Sequence, residues 1–179
     1  MLKRIMLICF MLLIISNTSH AYEFDYYNIR TFAGVNSLSI FGCESDHEDY
    51  TWASVGYLMG KRINSWLDVQ PVISTSVITN GYDDSLGFDG RLLFDIHKTI
   101  FYMKIGGGFG HYFNTGKFES LHNSWLYGLI SGEIGIRFQT KTREFSIGYI
   151  QEHISSPFHS NDDSGINVGG IVANIQIFF

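Results

Sequence analysis

Apolar and polar residues alternate through most of this chain. In residues 86–96 the even positions are Leu86, Phe88, Gly90, Leu92, Phe94 and Ile96, while the odd ones include Asp89, Arg91 and Asp95. In 125–138 the even set is Leu126, Gly128, Ile130, Gly132, Ile134, Ile136 and Phe138, and the odd set holds Ser131, Glu133 and Arg137. A period of two is the mark of a β-strand, whose successive side chains point to opposite faces. Turn-forming residues divide the chain into eight such segments: 28–42, 51–62, 66–78, 86–96, 100–112, 125–138, 144–154 and 165–179. Each is near the ~10 residues that a tilted membrane-crossing strand needs.

Strands with one apolar and one charged face suit a soluble sandwich or a small membrane barrel. The connections separate the two. Ile63–Ser65, His97–Thr99 and Gln139–Arg143 are short, whereas Cys43–Tyr50, Thr79–Ser85, Phe113–Ser124 and Ser155–Ser164 are long. Three short turns and four longer loops are what an eight-stranded barrel with both termini in the periplasm requires. Three of the long connections are acidic, through Glu44, Asp46, Glu48 and Asp49, through Asp83 and Asp84, and through Asp162 and Asp163. The short turns and their flanks are basic, with Lys61, Arg62, Lys98, Lys141 and Arg143. Trp52, Trp66, Tyr112 and Trp125 lie near strand ends, as interfacial girdle aromatics do. The expected fold is all-β: a closed eight-stranded antiparallel transmembrane β-barrel of the bacterial outer membrane. The charges of Asp89, Arg91, Lys104, Glu133 and Arg137 share the inward parity and are expected to pair inside it.

Composition adds the compartment. Lys3 and Arg4, the apolar run Ile5–Ile15 and Ser19-His20-Ala21 have the layout of a secretory signal cleaved after residue 21, leaving residues 22–179 as one barrel domain. Removing Lys3 and Arg4 leaves ten basic residues against 17 acidic ones, a net charge near −7, which argues against nucleic-acid binding. Cys43 is then a lone cysteine with no disulfide partner and no zinc pattern.

Candidate chemistry lies at the end of the chain. Gly148-Tyr149-Ile150-Gln151-Glu152-His153-Ile154-Ser155 runs into a polar loop, then Gly165-Ile166-Asn167, then an alternating tail ending Ile177-Phe178-Phe179. This ending resembles the lipid A 3-O-deacylase family (PagL type), eight-stranded outer-membrane barrels with a His-x-Ser-Asn motif followed by Gly-x-Glu at the start of the last strand. The resemblance implies Ser155 as nucleophile, His153 as base and Asn167 in the place of the family's acid. It implies an outer-membrane esterase that removes the 3-O-linked acyl chain of lipid A, with lipopolysaccharide as partner and membrane lipid around the wall. It implies no cofactor and no metal. Outer-membrane barrels also meet the barrel assembly machinery during biogenesis, and a homodimer stays open. The alternative is a catalytically inactive small barrel with a structural or adhesion role.

Strand parity bears on the same residues. His153 and Ser155 share the odd parity of Phe145, Ile147 and Tyr149, and Asn167 shares that of Ile171, Ala173, Ile175, Ile177 and Phe179. Since strands seven and eight are antiparallel neighbours, the three residues can converge on the outside of the wall near the external surface. Polar groups facing lipid are costly, so this placement suggests function. The sequence departs from the family at Asn167, at Ser156 in place of the Asn after the nucleophile, and at Pro157, which has no N–H to offer an oxyanion. A shifted motif, His159-Ser160-Asn161, is the rival, although adjacent residues of a strand point to opposite faces. Glu152, Asp162 and Asp163 are the other candidates for the acid, with Glu152 starting on the inward face. His47, His122 and His159 fall in loops, His97 in a turn and His111 at the interface. Gly106-Gly107-Gly108 lacks the context of a phosphate loop and is expected to relieve crowding or permit a bend.

Overall fold

Eight strands form where the alternation lies: β1 (Tyr26–Asn36), β2 (Thr51–Asn64), β3 (Leu67–Thr79), β4 (Asp84–Lys98), β5 (Phe101–Tyr112), β6 (Tyr127–Gln139), β7 (Arg143–Ser155) and β8 (Ile166–Phe178). This computed structural model describes residues 24–36, 51–98, 100–113, 126–155 and 165–179. Residues 37–42 of the first expected strand lie outside them, as does the expected signal, residues 1–21. Each strand pairs antiparallel with its sequence neighbour. β8 returns to β1 in a register running from Tyr26↔Phe178 to Asn36↔Val168, so the sheet closes. Closure leaves no free edge, which is the condition for placing a sheet in hydrocarbon.

The connection between β3 and β4 is shorter than expected. Asn80–Asp83 make a tight turn in which the Asn80 side chain accepts from the backbone N–H groups of Tyr82 and Asp83, and Gly81 takes a φ of 86°. An Asx side chain and a glycine in the left-handed region are the chemistry of a turn, so Thr79, Asp84 and Ser85 join the strands. The longer connections at this end span residues 37–50, 113–126 and 156–165.

The outer wall is apolar. Ile29, Val55, Ile73, Phe88, Phe94, Met103, Ile134, Ile147 and Ile175 are among its exposed side chains. Beneath the long-connection end, Phe32, Trp52, Ile78, Tyr112, Tyr127, Leu129, Ile150, Ile154 and Ile166 pack together. Trp52 and Tyr112 are therefore not girdle residues. They fall on the inward parity of β2 and β5, and their rings meet edge to face at 6.3 Å inside the barrel. Trp66 is exposed at the opposite end, and Trp125 lies outside the described residues.

At mid-height the expected charge network is present and larger than foreseen. Arg91 binds Asp89 at 2.7 Å and also Glu152, and Arg30 reaches Glu133 at 3.3 Å and Glu152 at 3.5 Å. Toward the short turns, Lys104 stands 3.9 Å from both Asp95 and Glu133, and Arg137 lies 3.5 Å from Glu144. Tyr26, Leu58, Val72 and Leu93 form a second apolar cluster inside the barrel. His97 belongs to β4 and not to a turn: it points inward and lies 3.2 Å from Asp68.

Candidate active site

The cross-strand register builds the site. On β7 the odd residues Phe145, Ile147 and Tyr149 face outward, and the same parity carries Gln151, His153 and Ser155 toward the long-connection end. His153 pairs with Asn167 of β8 on one side and Ile130 of β6 on the other, and Ile130 in turn pairs with Gly107 of β5. One row higher, Ser155 pairs with Gly128, which pairs with Phe109.

Asn167 Oδ1 lies 2.9 Å from His153 Nδ1. An amide oxygen only accepts, so this contact assigns the proton to Nδ1 and leaves Nε2 with its lone pair, the tautomer a general base needs. The histidine was expected to lie open to lipid. It shares the lipid-facing parity but is only 6% exposed, and Asn167 is 0% exposed. Gly165 contributes to this closeness. Its φ is +69°, and a Cβ at this position would stand 2.8 Å from His153 Cε1 and 3.1 Å from Ser155 Cβ. Glycine thus lets the start of β8 lie flush against both residues.

Ser155 is half-buried beside the ring and, among the described residues, makes no hydrogen bond to it. Such bonds are often long in free enzymes and tighten only when substrate is present. Below the pair the outer wall carries a groove of about 330 Å³ lined by Gly107, Phe109, Gly128, Ile130, His153 and Ser155. Its shape follows from the register: missing side chains at Gly107 and Gly128 leave a depression between Phe109 and Ile130. A larger open hollow of about 550 Å³ at the other mouth is lined by Asp25, Arg62, Gln139 and Lys141 with three phenylalanines, and among the described residues no nucleophile–base pair lies there.

Of the rival third members, Glu152 is 0% exposed inside the barrel, held by Arg91 and Arg30 and turned away from the imidazole. Asp162, Asp163, Ser156, Pro157 and the shifted motif His159-Ser160-Asn161 lie outside the described residues. His111 is half-buried on the outward parity, 4.6 Å from the Phe113 ring. Among the described residues no group of three His, Cys, Asp or Glu could hold a metal ion. Sequence reasoning passed over Gln151. It occupies an outward position two residues before His153 yet is only 1% exposed. Its signal was available: a polar residue on the parity of Phe145, Ile147 and Tyr149.

No protein-family model matches the chain, and no curated protein does. Among solved structures the fold is similar to the crystal structure of the outer membrane enzyme PagL, at 12% identity and a TM-score of 0.56, covering 82% of this chain and 97% of that one. It is also similar to the crystal structure of Neisserial surface protein A, at 13% identity and a TM-score of 0.50, covering 86% of this chain and 97% of that one. At these identities the likeness is one of fold: a closed eight-stranded antiparallel barrel of the outer-membrane type.

Proposed function

We propose that this protein is an outer-membrane esterase that hydrolyses the 3-O-linked acyl chain of lipid A, with Ser155 as nucleophile, His153 as general base and Asn167 as the residue that orients the imidazole. The observation that carries the reading is the 2.9 Å contact between His153 and Asn167 on the lipid-facing parity, next to a serine. A polar pair is expensive there and has no part in closing the barrel. The neighbouring apolar groove suits an acyl chain.

The steps follow from the tautomer. His153 Nε2 takes the proton from Ser155 Oγ as the oxygen attacks the ester carbonyl. The tetrahedral intermediate then expels the sugar oxygen, which receives that proton from Nε2–H. Water, activated by the same nitrogen, releases the fatty acid from Ser155. Asn167 can hold the ring but supplies no charge to the imidazolium formed during attack.

The test is the mass of lipid A from cells with and without the protein. Loss of one hydroxyacyl chain supports the esterase. An unchanged spectrum under strong expression favours the second reading, a non-catalytic surface barrel. That reading draws on the similarity to Neisserial surface protein A and on Asn167, not a carboxylate, standing on His153 among the described residues.

A further inference from the structure

An asparagine in the place of a carboxylate creates a requirement that a carboxylate does not have. The two oxygens of a glutamate are equivalent, so either one orients the imidazole. An amide is not symmetric. With Oδ1 toward the ring, Nδ1 carries the proton and Nε2 is a base. With Nδ2 toward the ring, the amide donates, the proton moves to Nε2 and the base is lost. Something must hold the Asn167 amide one way round.

We propose that Gln151 is the positioning residue that fixes the Asn167 amide, its Oε1 accepting from Asn167 Nδ2 so that Asn167 Oδ1 stays on His153. Gln151 pairs with Gly169 of β8, which puts it diagonal to Asn167, and with Gly132 of β6. Diagonal neighbours in an antiparallel pair lie within reach of long side chains. The equivalent diagonal one row up is in use, because the His153 ring reaches the Gly165 position. Glycines on both flanks leave the Gln151 side chain room along the wall. Gln151 is 1% exposed on a face otherwise given to apolar side chains, and both it and Asn167 take part in further polar or electrostatic contacts. An amide on a lipid-facing wall is costly, so it needs a partner of this kind.

This inference rests on the site proposed above, and its test has a readout that needs no activity. The protein is folded in detergent micelles with ¹⁵N-labelled histidine, and the His153 tautomer is read by long-range ¹H–¹⁵N correlation, the signal being assigned with His153→Gln. Wild type should show the Nδ1–H form. Gln151→Leu, and Gln151→Ala as a second variant, should shift His153 toward the Nε2–H form and lower kcat at least about tenfold with little change in KM, since a wrong tautomer disables the base. Gln151→Glu keeps an acceptor for Asn167 Nδ2 and should keep the Nδ1–H signal. In an Asn167→Asp background the carboxylate is symmetric, so adding Gln151→Leu should leave the tautomer at Nδ1–H. An unmoved tautomer in both Gln151→Leu and Gln151→Ala overturns the inference, as does a shift that Asn167→Asp does not reverse. If the tautomer moves as described while wild type hydrolyses no ester, the positioning role stands and the esterase reading falls.

Discussion

Asn167 decides how the site can work more than Ser155 does. Its oxygen selects the same imidazole tautomer that a carboxylate would, through a 2.9 Å contact, but in the proposed reaction it would not balance the charge formed on His153. On the proposed mechanism Ser155→Ala should abolish deacylation while the barrel still migrates in its folded form on unheated gels, because the side chain stands at the last residue of β7. Residual turnover above a few per cent of wild type in lipid A mass spectra would remove Ser155 from the role. Asn167→Ala should lower the rate by roughly 10²–10⁴, the range for losing the group that orients a catalytic histidine. Asn167→Asp should keep or raise the rate and lower thermal stability, since it places a charge at a position with no solvent exposure on the membrane side. A rate that falls as far with aspartate as with alanine would mean that the amide itself is needed.

Strand number, antiparallel order and parity were all legible in the sequence because a closed barrel imposes one rule on every strand: alternate, apolar outward. The rule holds even through Pro71 in the interior of β3, whose side chain faces out. Parity also located His153 and Asn167 on one face, and the structure brings them into contact. Three things were not legible. Trp52 and Tyr112 lie at strand ends, and their inward parity, not their aromatic character, decided their place. His97 was assigned to a turn because β4 runs two residues further than its apolar pattern. The close approach of Gly165 depends on a loop-to-strand geometry that alternation does not encode. That approach yields a prediction with an internal control. Gly165→Ala and Gly81→Ala both force an alanine into the left-handed region, at a cost of about 1–2 kcal/mol. At Gly81 a Cβ meets nothing within 4 Å, whereas at Gly165 it meets the Ile154 carbonyl and His153 Cε1. Both variants should lose thermal stability, and only Gly165→Ala should also lose ester hydrolysis. Equal activity in the two would mean that β8 does not position the ring.

At the scale of the whole barrel, the interior is a core and not a channel. The aromatic and aliphatic cluster under the long-connection end draws side chains from every strand but β4, and the ion pairs of Arg30, Arg91, Glu133 and Glu152 fill the lumen beside it, with Glu152 between Ile150 and Ile154 on β7. Eight strands leave an interior just wide enough for side chains to fill. The purified protein should show no unitary conductance steps in planar bilayers, and reproducible porin-sized steps would refute a filled lumen. Glu152 is the point where this core is most exposed to substitution, since it serves Arg91 and Arg30 together and lies with no solvent exposure next in sequence to His153. Removing one partner of a buried ion pair leaves the other uncompensated and typically costs about 3–5 kcal/mol, whereas replacing a whole pair by apolar residues of similar volume is often neutral. Glu152→Leu should therefore lower the urea midpoint of unfolding clearly. Adding Arg91→Met should recover part of the loss, though Arg30 and Asp89 then each lack one partner. The barrel is refolded into vesicles and the midpoints compared by tryptophan fluorescence, which suits the site because Trp52 belongs to the apolar cluster that includes Ile150 and Ile154 on either side of Glu152. A double variant less stable than Glu152→Leu alone would mean that Arg91 supports the barrel through Asp89 and not through Glu152. Because Glu152 faces inward while His153 faces outward, ester hydrolysis measured on the folded fraction should follow stability and show no separate defect. A specific loss of turnover at full folding would instead tie the lumen network to the site on the wall.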